Sequence, residues 1–126
     1  MTSLTCDIRS SGSADVVEVC GELDLATVGD FEAAIEGRAA AGRHVTLDLS
    51  RLSFCGCVGV SALLRLQSGA ARCGGYVRLS RLAPEISRIL RLCGVDLLVV
   101  PGDPPAVAER HVGTATLGTP RRRANV

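Results

Sequence analysis

Cys55, Gly56, Cys57 and Gly59 fall within one short stretch, FCGCVG at positions 54–59, where an alternating segment gives way to a helical one. A thiol at a helix start meets unpaired N–H groups and the positive end of the helix dipole, which favour the thiolate. Cys57 is therefore a candidate reactive thiol, and Cys55, two positions away, invites a redox pair. The competing reading is that Cys55 ends a strand, points into the core and is inert, with Cys57 merely tolerated. Spacing alone leaves both open. Metal chemistry is disfavoured, because the six cysteines (6, 20, 55, 57, 73 and 93) contain no CxxC pair. Cys6, Cys20, Cys73 and Cys93 are read as small buried apolar residues, with no metal and no cofactor.

Catalytic readings are weaker still. Gly56-x-x-Gly59 faintly resembles a phosphate-binding loop, but the chain has no lysine to complete one. A Cys–His nucleophile needs His44 or His111 beside Cys57. His44 opens a strand and His111 ends a weak helix, so both are expected to face solvent. Asp24 and Asp48 read as a turn residue and a strand-end residue rather than paired carboxylates. No enzymatic activity is expected.

The elements that must position these residues follow from periodicity. Leu4, Cys6 and Ile8 alternate with polar residues, a turn at 10–13 contains Gly12, and 16–21 is a second strand, so the chain opens with a hairpin. Thr27 is placed to cap a helix, with Asp30 three residues on as a short capping-box partner. Val28, Phe31, Ile35 and Ala39 form its apolar stripe, and Gly42 ends it. Val45, Leu47 and Leu49 alternate in a strand over 44–50. A second helix runs from 57 to 73, with Val60, Leu63, Leu64, Gln67 and Ala71 inward. A strand over 76–80 leads to a third helix starting at Pro84, with Ile86, Ile89, Leu90 and Cys93 in register. A buried strand over 97–100 and a weak helix over 105–112 follow. The expected order is β-β-α-β-α-β-α-β-α, an α/β fold with a mixed, mostly parallel sheet flanked by helices. Residues 1–112 read as one domain and 113–126 as a disordered basic tail.

Composition narrows the function. The 126 residues are 47% apolar, enough for a core, but only Phe31, Phe54 and Tyr76 are aromatic, which leaves no stacking platform for bases. Residues 1–110 hold 11 Arg against 13 acids; residues 111–126 hold three Arg and no acid. A weakly acidic globule with a basic end is a poor nucleic-acid binder, and Arg121–Arg123 is best read as a solvated terminus. The start, MTSLTCDIRS, has no apolar leader, and no run approaches the ~18 residues of a membrane span. A cytoplasmic protein without membrane insertion is expected.

Three stretches in order resemble one family. Gly21-Glu22-Leu23-Asp24-Leu25-Ala26-Thr27 is similar to the GELD-x-x-T segment of STAS domains. Val45–Ser50 is similar to their central strand, and Phe54–Leu64 (FCGCVGVSALL) to their F-x-D-S-x-G-L-x-x-L-L turn and helix. The ending Leu92-Cys93-Gly94-Val95 matches the family's third-helix ending, so the resemblance covers about residues 4–112. It implies the STAS fold and a non-enzymatic anti-sigma factor antagonist that binds an anti-sigma factor, usually a serine kinase, and thereby releases a sigma factor. In the family, phosphorylation of the serine in the D-S pair abolishes docking. That pair aligns with Gly56-Cys57, so the acid and the acceptor hydroxyl are both absent. Whether Gly56 uses the left-handed backbone that only glycine adopts freely decides how easily an acid is restored there. Carried over residue by residue, the resemblance makes Gly56 and Cys57 the switch position. It makes Asp24, Ser53, Cys57, Val58, Gly59 and Ser61 the partner-binding set, with Ser61 or Ser53 as surrogate phosphosites. A homodimer is compatible with it. Two other readings fit the missing serine: a STAS subunit gripping the ATPase of a lipid-transporting ABC system, and a thiol-based redox sensor.

Overall fold

The computed structural model describes residues 3–94, 97–104 and 110–117. Strands β1 (Leu4–Ser11) and β2 (Ala14–Leu23) form the expected antiparallel hairpin, turning at Gly12 with φ 58°. Helix α1 (Val28–Ala39), strand β3 (His44–Cys55), helix α2 (Cys57–Arg72), strand β4 (Tyr76–Ser80), helix α3 (Pro84–Cys93) and strand β5 (Val99–Val100) follow. A last strand, β6 (Arg110–Leu117), pairs antiparallel with β1. The six-stranded sheet has the order β5-β4-β3-β2-β1-β6, with β2, β3, β4 and β5 mutually parallel.

The core is aliphatic, as the scarcity of aromatic residues requires. Leu4, Val17, Val19, Leu47, Leu49 and Leu79 from the sheet meet Phe31 and Ile35 of α1, Leu63 and Leu66 of α2, and Ile86 and Leu90 of α3. The α1 stripe buries Phe31, Ile35 and Ala39 as its spacing predicts. In α2 the buried set is Gly59, Val60, Ala62, Leu63, Leu66 and Ala70. Ala71 is exposed, and Gln67 exchanges two hydrogen bonds with the backbone of Leu98.

One ionic cluster ties the amino end of β2 to its neighbours. Asp15 is buried, and its carboxylate accepts hydrogen bonds from Arg43, Arg38 and Ser10. Burial pushes its pKa up, but these donors outweigh that and hold it at about 2. Arg43 also donates to the Gly12 carbonyl, so hairpin, α1 and the entrance to β3 are linked at one point.

Several expectations change. Residues 110–112 are strand rather than the end of a helix, and 113–117 are strand rather than tail, so the sheet continues past residue 112. The expected helix residues 105–109 and the Arg run lie outside the described residues. The reason is tertiary: Gly113, Ala115 and Leu117 pair with Ile8, Cys6 and Leu4, and β1 supplies partners that a weak local pattern could not announce. Thr27 stands at the N-cap of α1 but makes no side-chain cap bond. Cys6 is buried as expected, whereas Cys20 is half-buried and Cys73 and Cys93 are exposed at the ends of α2 and α3.

Candidate functional site

The carboxyl ends of β2 and β3 bring the family-matched residues together. β3 runs on to Cys55 because it contains two bulges. Its register against β2 skips between Glu18 and Cys20 and again between Gly21 and Glu22, leaving Ser53 as the extra residue of the second. Each bulge reverses the side-chain alternation. Leu49, Leu52 and Cys55 are therefore buried three residues apart, and Phe54 is turned outward beside Ser53.

Hydrogen bonds hold the two loops rigidly. The Thr27 hydroxyl donates to the Glu22 carbonyl (2.8 Å) and accepts from the Asp24 N–H (3.0 Å). Asp24 accepts from the Ala26 N–H at 2.9 Å, closing the turn. The Ser53 hydroxyl donates to the Gly21 carbonyl (3.0 Å), and the Gly56 N–H donates to the Leu23 carbonyl (3.0 Å), which clamps the start of α2 to the exit of β2. Gly59 lets the helix sit this close, because a Cβ there would lie 2.9 Å from both the Cys55 sulfur and Leu23 Cγ.

What this scaffold presents is apolar. Leu25 is 80% exposed in the loop after β2, Phe54 46% at the end of β3 and Val58 37% in the first turn of α2. The Gly56 N–H to Leu23 carbonyl bond ties these segments together. Cys57 and Ser61 are exposed one turn apart on α2. Gly56 caps α2 with φ −79° and ψ 178°, an extended conformation open to any residue. No acid stands in the first turn of α2 and no side chain caps it.

The thiols part company. Burial pushes Cys55 up to about 11, with Cys93 and Cys57 nearby adding to the shift, so it is a poor nucleophile at neutral pH. Cys57 is exposed. His44 and His111 register with Ala14 and Arg9 at the opposite end of the sheet from Cys57. A Cys–His nucleophile is therefore not assembled. His44 leans on the Tyr76 ring at 4.6 Å, and exposed His111 contacts Asp7 together with Thr114. Asp48 is buried on β3, accepts from the Ser50 N–H and lies 3.7 Å from Arg81. Asp24 sits in the loop after β2, so the two carboxylates do not form a pair. No cluster of metal ligands occurs among the described residues, and no described helix is long and apolar enough to cross a membrane. Sequence reasoning missed Leu25 and the outward turn of Phe54. An exposed loop leucine leaves no periodic signal, and the outward turn of Phe54 follows from bulges that exist only in the pairing with β2.

A six-stranded mixed sheet packed with three helices, its β2 and β3 exits clamped together by hydrogen bonds, defines a small α/β domain. The family model described as the Mlab STAS domain matches residues 6–101, and the chain belongs to this STAS family. No curated protein sequence matches it significantly. Among solved structures, it is similar to the unphosphorylated anti-sigma factor antagonist SpoIIAA, of Bacillus. The TM-score is 0.67 at 20% identity, over 78% of this chain and 88% of that one. An anti-sigma factor antagonist from Mycobacterium paratuberculosis is 27% identical, with a TM-score of 0.64 over 72% of this chain and 78% of that one. An antisigma-factor antagonist STAS domain from Rhodobacter sphaeroides is 26% identical, with a TM-score of 0.50 over 60% and 85%.

Proposed function

We propose that the chain is a non-enzymatic, cytoplasmic anti-sigma factor antagonist that docks on a kinase-like anti-sigma factor and frees a sigma factor. The observation that carries the reading is the exposure of Leu25, Phe54 and Val58 on the segments clamped at the turn that aligns with the family's phosphoserine. Exposed aromatic and aliphatic anchors on a pre-ordered scaffold are what a docking surface needs, since little conformational freedom is lost on binding. Asp24, Ser53, Gly56, Cys57, Gly59 and Ser61 shape or border it. With Gly56-Cys57 in place of the acid and serine, the surface stays competent in the presence of kinase and ATP.

The test begins with capture of partners from the native lysate by the tagged chain and their identification by mass spectrometry. An anti-sigma factor supports the reading; recovery of an ABC ATPase overturns it in favour of a transporter subunit. Against the captured partner, Phe54→Ala is expected to weaken binding about 30-fold, near 2 kcal/mol, with the fold intact by circular dichroism. Leu25→Asp should do the same. Undiminished affinity in both, measured by titration calorimetry, removes this surface from the interface.

A further inference from the structure

β6 is the outermost strand on its side of the sheet, and among the described residues nothing pairs with its outer edge. Near its start the register against β1 shifts between Ile8 and Arg9, which leaves Val112 as a bulged residue. From Gly113 to Leu117 the pairing is regular, and this stretch, GTATL, contains no charge and no proline. Exposed edges usually carry a charge, a proline or a bulge that turns other strands away. Residues 113–117 have none of these.

We propose that residues 113–117 of β6 pair antiparallel with the same residues of a second copy of the chain, joining two six-stranded sheets into one. The order of residues is self-complementary. A two-fold axis through Ala115 sets Ala115 opposite its own copy, Thr114 opposite Thr116 and Gly113 opposite Leu117. Facing threonines are favourable cross-strand pairs. Gly113, Ala115 and Leu117 share the side of the sheet that bears Ile8, Cys6 and Leu4. Half-buried Leu117 of each copy therefore covers the bare backbone at Gly113 of the other. Any other strand meeting this edge finds backbone donors and acceptors, but lacks the Leu-over-Gly fit and the paired threonines.

The same geometry sets strength and consequence. Five residues of edge pairing bury less than a standard interface of about 1,600 Å², so association is weak and concentration-dependent. Antiparallel pairing across the axis points the carboxyl ends of the two β3 strands in opposite directions. Leu25, Phe54 and Val58 of both copies stay free, so the dimer is bivalent and its existence is independent of the docking reading.

Sedimentation equilibrium of the full chain from about 10 µM to about 1 mM tests the proposal, a range suited to a small interface. The parent is expected to show a monomer–dimer equilibrium. Ala115→Glu brings two carboxylates together at the axis and should raise the dissociation constant at least tenfold, whereas Ala115→Val should leave it unchanged or lower it. In the parent, amide protection at 113–117 should rise with concentration, a readout that does not depend on how any variant folds. A monomer at every concentration overturns the proposal. Dimerisation of Ala115→Glu equal to the parent's, or protection that rises elsewhere and not at 113–117, also overturns it.

Discussion

Replacing Asp15 with asparagine is expected to cost about 3 kcal/mol of stability, because it removes one partner of a buried charge cluster and leaves two cations facing a neutral amide. Asp15 has no exposed side-chain surface, while Arg38 and Arg43 are each about a quarter exposed, at 24% and 25%. The arginines therefore recover part of their hydration in the variant, which keeps the loss at the lower end of the range for breaking buried pairs. The cluster joins the hairpin, α1 and β3, so the loss should appear in one cooperative transition. Urea denaturation at pH 7 measures it. A variant within about 0.5 kcal/mol of the parent, the scatter of ordinary surface changes, shows that the cluster is not stabilising.

The pH dependence has a defined sign. The folded pKa of about 2 lies below the ordinary 3.8, so the charged form is favoured by folding. The contribution, about 2 kcal/mol, is complete above pH ~4 and disappears as pH falls toward ~2. The difference in stability between parent and Asp15→Asn should narrow across that window and stay constant from pH 5 to 8. This cluster lies at the opposite end of β2 from the Gly56 turn, so Asp15→Asn should leave partner affinity unaltered while the protein is folded.

Helices α1, α2 and α3 and the parallel strands β2 and β4 were legible because their signals are local, whereas the buried strand expected over 97–100 is only Val99–Val100, with Leu98 and Val99 exposed. Phe31, Ile35 and Ala39 repeat with the helical period, and Pro84 and Gly94 bracket α3. Two features were not legible, for different reasons. Alternation along β3 breaks after Leu49, so the strand appears to end there. The bulges are a property of its pairing with β2, and they keep burying Leu52 and Cys55 past that break. β6 has little apolar content of its own and exists through hydrogen bonds to β1, about a hundred residues earlier in the chain. In the candidate site, Gly56, Cys57 and Gly59 could be placed from sequence, since strand, turn and helix start are contiguous there. Leu25 and Phe54 could not, because their exposure depends on where the Thr27–Glu22 bond and the Ser53 bulge turn the chain.

The double change Gly56→Asp with Cys57→Ser is expected to create a phosphorylation switch that the parent lacks. Gly56 has φ −79°, so an L-residue enters without backbone strain, and its Cβ meets only the Phe54 ring, at 3.4 Å. As the cap residue of α2, an aspartate there can accept the free N–H groups of the first turn, worth a few tenths of a kcal/mol over glycine. Serine for Cys57 changes little in size. The unphosphorylated variant should therefore bind the anti-sigma factor within about threefold of the parent, a change of well under 1 kcal/mol. Incubation with a related anti-sigma kinase and ATP should then place phosphate on Ser at position 57, adding a charge of about −1.5 to −2. That charge stands beside exposed Val58 and three residues from exposed Phe54, so docking on this turn would have to desolvate it against an apolar contact. Affinity is expected to fall at least 100-fold, near 3 kcal/mol, and to recover on phosphatase treatment. Phos-tag electrophoresis confirms the modification and titration calorimetry reads the affinity. A stoichiometrically phosphorylated variant that still binds like the parent places the interface elsewhere. Failure of any such kinase to modify the rebuilt serine detaches the chain from the antagonist role, since that surface then no longer meets the enzyme it is proposed to engage.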